Sequence, residues 1–120
     1  MKILVCDDDE MLISMVRFKL TRDKLGEVVS AVDGRQAMQL LSEETFDLII
    51  SDIHMPFNSG LEIISFVRTQ LRKTTPIIIL SAEGLEETVL HAFDIGASDF
   101  ITKPFSPSEL SIRVKRLLPK

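Results

Sequence analysis

The sequence Leu-Ile-Ile-Ser-Asp at positions 48–52 decides the fold, because an apolar run of strand length ends in a single carboxylate, Asp52. Three further apolar runs end in polar groups: Asp7 with Asp8, Ser81, and Lys103. In a parallel α/β sheet the carboxyl ends of all strands open on one edge, which is where ligands bind. We therefore predict that three acids, a hydroxyl and a lysine meet at this edge and form a metal and phosphoryl site.

The length and composition are those of one ordinary domain, predicted over residues 1–120. The 120 residues are 45% hydrophobic and 27% charged, which suffices for a single core. No apolar stretch approaches the roughly 20 residues that span a bilayer, so we expect no membrane interaction. The N-terminus does not have the pattern of a signal peptide, because its apolar run is short and is followed directly by four acidic residues, 7–10. These features predict a cytoplasmic protein.

Charge and cysteine content exclude two further classes. The net charge is −4 and Lys and Arg do not cluster around aromatic residues, so direct nucleic-acid binding is not expected. The single cysteine, Cys6, excludes an internal disulfide. It lies in an apolar run, where it is predicted to be a small core residue rather than a nucleophile.

Short apolar runs alternate with longer amphipathic segments five times along the chain. The predicted strands are 2–6, 27–32, 48–51, 76–80 and 99–101. The predicted helices are 10–24, one opening at 33–36, 58–71, 84–95 and one opening at 106–109. Near-continuous Val, Ile and Leu runs indicate strands that are covered on both faces. Five repeated strand–helix units predict a five-stranded parallel sheet between two helical layers, a flavodoxin-like (βα)5 sandwich.

Several helix ends and faces carry specific signals. Gly26 is predicted to stop the first helix. Asp33 with Gln36 predicts a capped start of the second, and Ser106 with Glu109 predicts a capping box for the last. In the fourth helix the inward face is predicted to carry Leu85, Val89 and Phe93.

Asp7 and Asp8 have two interpretations from the residues alone. Adjacent acids repel each other, and a divalent cation would relieve that repulsion; hard oxygen ligands in a small cleft favour Mg²⁺. Acids are also favourable at a helix N-terminus without any metal. For Asp9 and Glu10 we favour this helix-start interpretation, whereas for the first pair the two stay open.

Asp52 favours phosphoryl chemistry because a loop, residues 54–60, separates it from the next helix and makes it a poor cap. A carboxylate can attack a phosphoryl group to form an aspartyl phosphate. Catalysis of that step consists mainly of positioning and of neutralising charge on the phosphoryl oxygens. Lys103 and Ser81 could supply an ammonium and a hydroxyl donor, although alone each would be an ordinary loop lysine and a helix cap.

The chain resembles the response-regulator receiver domains of two-component signalling over essentially its whole length. The matching residues are Asp7-Asp8, Asp52, Met55-Pro56, Gly60, Ser81-Ala82 and Lys103-Pro104-Phe105, in the family's order and spacing. The residues from 92 onward, including Glu109 and Arg113, resemble receivers that are fused to winged-helix DNA-binding domains.

The resemblance implies a phosphoacceptor signalling domain that is not an enzyme in the usual sense, since it would catalyse only its own phosphorylation and slow dephosphorylation. Asp52 would accept the phosphoryl group from a histidine kinase or a histidine phosphotransfer protein. The metal, Mg²⁺ or Mn²⁺, would be held by Asp8, Asp52, the His54 backbone carbonyl and, through water, Asp7. Lys103 and Ser81 would bind the phosphoryl group, and the bond from Lys103 to Pro104 would be cis.

Departures from the family pattern concern regulation. Phe100 stands where the switch aromatic is often tyrosine, and it is predicted to favour the inward, active-like position because it has no hydroxyl to satisfy. His54 and Glu83 are where we expect the phosphoryl lifetime to be tuned. The resemblance also implies a homodimer through the fourth helix, fifth strand and fifth helix, and Val89, which replaces the usual basic partner of Glu109, weakens that expectation.

Three other functions compete with this interpretation. A haloacid-dehalogenase-like phosphatase would need a second acid where His54 stands. A flavodoxin-like nucleotide binder would need a Gly/Ser/Thr-rich cradle after the first strand, where the chain has acids. A receiver-like interaction module that is never phosphorylated would have lost an acid or the lysine, and none is missing.

Overall fold

A five-stranded parallel sheet forms the centre of the molecule. The computed structural model describes residues 1–119. The strands are β1 (Lys2–Cys6), β2 (Glu27–Ala31), β3 (Leu48–Asp52), β4 (Ile77–Ser81) and β5 (Asp99–Thr102). Their order in the sheet is β2-β1-β3-β4-β5, and every neighbouring pair is parallel. This is the predicted flavodoxin-like α/β fold, with strand bounds within one residue of those predicted from the sequence.

Five helices cover the two faces of the sheet. They are α1 (Glu10–Arg22), α2 (Gly34–Glu43), α3 (Gly60–Ser65), α4 (Glu86–Asp94) and α5 (Pro107–Leu117). Buried residues of α1 and α5 belong to one apolar cluster, and those of α2, α3 and α4 belong to the other. Within residues 1–119 no helix is both long enough and apolar enough to cross a bilayer.

The central strands explain why the sheet has two cores. All five residues of β3 and all five of β4 are buried, so successive side chains contribute to opposite clusters. Ile49 and Ile77 belong to the cluster beneath α2 to α4, whereas Ile50 and Ile78 belong to the cluster beneath α1 and α5. The uninterrupted apolar runs of the sequence therefore correspond to strands buried on both faces.

The predicted helix starts at Asp33 and Ser106 are present. The Asp33 side chain accepts from the Gln36 N–H at 2.8 Å, and the Gln36 side chain in turn accepts from the Val32 N–H. Ser106 accepts from the Glu109 N–H at 3.0 Å, and Pro107 occupies the first helical position. Only this half of the predicted capping box forms, because the Glu109 carboxylate pairs with Arg113 instead of the Ser106 N–H. Capping therefore fixes where α2 and α5 begin.

The prediction that Gly26 stops the first helix is wrong. The helix ends at Arg22, and Lys24 adopts the left-handed conformation with φ 57° while the Leu25 N–H bonds the Leu20 carbonyl at 3.0 Å. This is the pattern of a Schellman motif, here with lysine in the position that glycine usually holds. Gly26 serves a different purpose, because a Cβ there would lie 2.7 Å from the Met1 carbonyl oxygen.

The third helix is shorter and less regular than predicted over 58–71. A capping box between Ser59 and Glu62 starts it at Gly60, and the α-helix gives way after Ser65 to a π-helical turn, Phe66–Gln70. The side chain of Arg68, in this turn, binds backbone carbonyls outside its own helix. Apolar spacing does not reveal such a change of helical geometry.

The predicted inward face of the fourth helix is largely wrong. Leu85 lies before the helix as its N-cap and is 61% exposed, and Phe93 is 43% exposed. The fully buried contact is Ala92, and Val89 is half-buried. The helix begins at Glu86, two residues later than predicted, which removes Leu85 from the helical periodicity. Its apolar side chains therefore lie partly on the molecular surface.

Candidate functional site

The three predicted acids meet at the carboxyl edge of the sheet. β1 and β3 are neighbours, with Cys6 paired to Ser51, so the residues that follow these positions, Asp7 and Asp52, come together. One carboxylate oxygen each of Asp7, Asp8 and Asp52 lies within 4.8 Å of the others. The topology of the sheet thus assembles a cluster from residues 45 positions apart in the chain.

Asp7 and Asp8 have different environments although they are adjacent. Asp7 is fully buried, and one of its oxygens accepts from the Asp9 N–H at 2.9 Å, whereas Asp8 is exposed at the mouth of the cluster. The cap of α1 is Asp9, whose side chain accepts from the N–H groups of Met11 and Leu12. Helix capping therefore accounts for Asp9, and it leaves both preceding carboxylates facing the cluster.

Lys103 supplies the positive charge of the cluster. Its Nζ lies 2.9 Å from Oδ2 of Asp7 and 3.5 Å from Oδ2 of Asp52. The Lys103 N–H donates to the Ser81 carbonyl at 2.7 Å, which holds the end of β5 beside the end of β4. The peptide bond from Lys103 to Pro104 is cis, as the sequence resemblance implies. The lysine reaches both buried acids from the opposite half of the sheet.

The electrostatics of the cluster leave excess negative charge. Burial raises the pKa of Asp52, repulsion from Asp7 raises it further, and the Lys103 ammonium opposes both effects. Burial by itself would lower the pKa of Lys103, but the hydrogen bond to Asp7 and the charges of both acids outweigh it and raise the pKa. One ammonium thus pairs with two of the three carboxylates, and the excess negative charge of the cluster favours binding of a further cation.

The donor set suits a hard divalent cation. Three carboxylates offer only oxygen ligands, one of them from a solvent-exposed side chain that leaves room for water. Mg²⁺ prefers oxygen ligands, keeps several waters and is usually bound through one or two protein carboxylates, so the cluster supplies enough ligands. Asp7, Asp8 and Asp52 therefore fit Mg²⁺ or the chemically similar Mn²⁺.

Ser81 lies at the end of β4 and is buried. Its Oγ donates to the Glu83 carbonyl at 3.0 Å and accepts from the Glu83 N–H at 3.1 Å. The hydroxyl thus closes a tight turn that leads into α4 rather than capping the helix. A movement of this hydroxyl toward Asp52 would have to break both bonds.

The remaining predicted residues surround the cluster. The His54 side chain is exposed on the loop after β3, and Glu83 is exposed beyond β4. Phe100 is half-buried and packs against the cluster beneath α2 to α4. Cys6 is buried before Asp7, and desolvation raises the pKa of its thiol far above the usual range, in keeping with a core residue.

Two features of the loop after β3 were not explained from the sequence. Gly60 packs so closely that a Cβ would lie 2.5 Å from the Asp52 carbonyl oxygen, and its N–H bonds the Ile53 carbonyl at 2.9 Å. Phe57 has φ 73°, and the Asn58 N–H bonds the Pro56 carbonyl across it. The glycine in the motif was the available signal for the first feature, whereas nothing in the sequence indicates the second.

Three charges on the surface formed by α4, β5 and α5 are paired with one another: those of Asp99, Glu109 and Arg113. Arg113 Nη1 lies 2.8 Å from Asp99, and Nη2 lies 3.2 Å from Glu109. Glu109, whose usual basic partner falls at Val89, thus finds a partner one turn away on its own helix. The apolar residues Leu85, Leu90 and Phe93 are the exposed large hydrophobic residues of α4 and its N-cap.

Comparison with known proteins identifies a family. Residues 3–115 match the response regulator receiver domain. The transcriptional regulatory protein ResD of Bacillus subtilis is 39% identical over 117 residues, covering 98% of this chain and 48% of that protein. The alkaline phosphatase synthesis transcriptional regulatory protein PhoP of the same organism is 37% identical over 117 residues, with the same coverage. This chain therefore spans about half the length of these relatives.

Solved structures agree with this match. The Francisella response regulator 1452 receiver domain superposes with a TM-score of 0.90 at 35% identity, covering 97% of this chain and 94% of that chain. The similarity thus extends over nearly all of the described fold and includes every strand that contributes to the acidic cluster.

Proposed function

The chain belongs to the response regulator receiver domain family of two-component signalling, and on that premise we propose that Asp52 is its phosphoacceptor. The observation that carries the proposal is the position of Asp52 at the end of β3, with its carboxylate beside two other acids and 3.5 Å from the Lys103 ammonium. Carboxylates so placed can accept a phosphoryl group, provided that the developing charge is neutralised.

In the proposed reaction a carboxylate oxygen of Asp52 attacks the phosphorus of a phosphohistidine. The new O–P bond forms as the P–N bond breaks, and the imidazole leaves with that electron pair and is then protonated by solvent. The Lys103 ammonium then pairs with the new phosphoryl oxygens.

Receiver domains bind Mg²⁺ at an acidic pocket, and in this chain Asp7, Asp8 and Asp52 would hold it, with the His54 carbonyl as a further ligand. When bound, the ion neutralises negative charge on the transferring group. Asp7 has a second task, because its other oxygen holds the Lys103 Nζ at 2.9 Å and so keeps the lysine at the edge of the cluster.

Ser81 would couple phosphorylation of Asp52 to a conformational change in the turn before α4. Its hydroxyl would exchange the two bonds to Glu83 for one to a phosphoryl oxygen, which would release the turn that precedes α4. Phe100, on the neighbouring strand, would follow inward. We expect Phe100→Tyr to weaken partner or dimer affinity in the absence of a phosphoryl donor; equal affinities would contradict this role.

The proposal extends to the partners of the chain and to the duration of its signal. We propose a histidine kinase or histidine phosphotransfer protein as donor, and an output domain or partner that binds the surface of α4, β5 and α5. The chain would catalyse only its own phosphorylation and slow hydrolysis, whose rate His54 and Glu83 would tune. Because its relatives are transcriptional regulatory proteins, we propose that it acts in the cytoplasm.

The direct test is reaction with acetyl phosphate and Mg²⁺, followed by intact-protein mass spectrometry. We expect wild type to gain the mass of one phosphoryl group and Asp52→Asn to gain none. The control is Asp94→Asn, which removes an exposed acid on α4 and should react like wild type. Labelling that persists in Asp52→Asn would contradict the proposal, and no labelling of any variant would favour an unphosphorylated interaction module.

The phosphatase alternative is not favoured. Its second acid would have to stand where the chain has His54, whose side chain is exposed on the loop after β3.

A further inference from the structure

Arg68 binds three backbone carbonyls at the amino edge of the sheet, opposite the acidic cluster. Its Nε and Nη2 donate to the Gly96 carbonyl at 3.1 and 2.8 Å, and its Nη1 donates to those of Lys73 and Thr75 at 3.0 and 2.7 Å. These bonds join the π-helical turn that follows α3, the segment before β4 and the turn between α4 and β5. Burial disfavours the charged form of the Arg68 guanidinium and lowers its pKa. The hydrogen bonds to carbonyl oxygens oppose this cost, because they favour the charged form.

Irregular backbone segments converge on this one side chain. Arg68 itself lies in the π-helical turn, Arg72 has φ 52°, and Gly96 has φ 120°. A Cβ at Gly96 would lie 2.8 Å from the Arg68 Nε, so the guanidinium occupies the space that any other residue would need. π-turns and left-handed residues are concentrated where a structure uses them for function.

The arginine holds only one end of α4. At the C-terminal end the Ala97 N–H bonds the Ala92 carbonyl at 2.9 Å, and the Gly96 carbonyl is bound by Arg68. At the other end the N-cap residue Leu85 makes no side-chain cap, and residues 82–87 are all exposed. The free end is continuous with the turn that the Ser81 hydroxyl closes.

We propose that Arg68 is a positioning residue, the pivot about which α4 turns when the site is phosphorylated. This inference rests on the proposed function, because phosphorylation is what would draw the Ser81 hydroxyl away from Glu83. The freed N-terminal end then moves while the Gly96 end stays fixed, so the displacement is largest at the N-terminal end of α4 and smallest beside Ala97. The exposed Leu85 and Leu90 are thereby repositioned more than Phe93.

The first test needs no phosphoryl donor. Amide hydrogen exchange is measured by NMR on wild type, Arg68→Lys, Arg68→Met and Gly96→Ala. We expect the amides of residues 95–97 to lose protection about tenfold in Arg68→Met and Gly96→Ala, and less in Arg68→Lys. The control is Arg17→Met, which removes an exposed arginine with a single bond to Ser30 and should leave these amides unchanged. Unchanged protection, or an equal loss along the whole chain, would overturn the pivot.

The second test follows α4 during activation, with Mg²⁺ and beryllofluoride as the phosphoryl mimic. In wild type we expect amide shift changes to decline steadily from residues 83–87 to residues 95–97. In Arg68→Met and Arg68→Lys the changes at 95–97 should rise toward those at 83–87, although the mimic still binds. The same decline in all variants would overturn the proposal. Absence of any response in wild type would count against Asp52 as acceptor, whereas the exchange experiment would still decide whether Arg68 anchors α4.

Discussion

The two edges of the sheet hold charge in opposite ways. At the carboxyl edge three carboxylates cluster, and the ammonium of Lys103 pairs with the two that are buried, Asp7 and Asp52. At the amino edge the guanidinium of Arg68 directs four hydrogen bonds to three neutral carbonyls. The first arrangement leaves charge for an incoming ligand, whereas the second satisfies its own charge and fixes the backbone. The same buried strands therefore support a reactive edge and a structural one.

The largest expected effect is the loss of function at the reactive edge. In Lys103→Met the acids lose the ammonium at 2.9 and 3.5 Å, and within residues 1–119 no other lysine or arginine forms an ion pair with Asp7 or Asp52. We expect phosphorylation by acetyl phosphate to slow by at least about a hundredfold, the usual scale for losing one charged group from a preorganised site. Lys115→Met, on exposed α5, is the control, and a rate within a few-fold of wild type in Lys103→Met would contradict the assigned role.

A substitution at the amino edge, the structural one, should lower the stability of the fold. Arg68→Met leaves three partly buried carbonyls without their donor, so we expect the free energy of unfolding in urea to fall by about 3 kcal/mol. Labelling of Asp52 by acetyl phosphate should persist under conditions where the variant is folded, because the two edges are separate. If Arg68→Met were as stable as wild type, the amino edge would not have the structural role that distinguishes it from the carboxyl edge.

The acids of the reactive edge should reduce stability when no cation is bound. Because the folded pKa of Asp52 is raised, its ionised form is disfavoured by folding, and the penalty is fully present above the folded pKa. Asp52→Asn should therefore be more stable than wild type at about pH 7 in a chelator, on the order of 1 kcal/mol. The advantage should shrink as the pH falls through the raised pKa of the folded state, and it should vanish below the ordinary aspartate pKa of about 4, where both states bind the proton. Urea titrations across this range would measure it, and an advantage that does not change with pH would contradict the electrostatic cause.

The smallest effect is expected at Phe57. Glycine would relieve the strain of the left-handed backbone at φ 73°. It would also remove the contact between the Phe57 ring and the Arg35 guanidinium, whose Cζ lies 4.0 Å from the ring centroid. In addition, glycine makes the unfolded chain more flexible, which lowers stability. These terms oppose each other, so Phe57→Gly should change the free energy of unfolding by less than about 0.5 kcal/mol. A loss much larger than that would assign the loop a structural role like that of the amino edge.

The reactive edge was far easier to predict from sequence than the structural one. Each of its groups follows an apolar run, and parallel topology alone brings such positions together. The geometry within the edge was not predictable in the same way. The fully buried state of Asp7, its bond to Lys103 and the bonds of Ser81 to Glu83 depend on loop conformations.

The structural edge gave no comparable signal. Arg68 occupies a position in the third predicted helix where an arginine would ordinarily be solvated, and its partners are backbone carbonyls, which every residue possesses. Lys24 shows the same difficulty, because a lysine in the left-handed position of a helix end contradicts the ordinary preference for glycine, which pointed to Gly26. Local patterns predict elements, whereas contacts between distant backbone segments and side chains require the fold itself.

The central claim is that the phosphoryl group is carried by Asp52 and by neither neighbouring acid. An aspartyl phosphate is an acyl phosphate, and borohydride reduces it to homoserine, which marks the residue permanently. After reaction with acetyl phosphate, Mg²⁺ and then borohydride, peptide mass spectrometry should find homoserine at position 52 and aspartate at positions 7 and 8. Homoserine at position 7 or 8, with unmodified Asp52, would contradict the account.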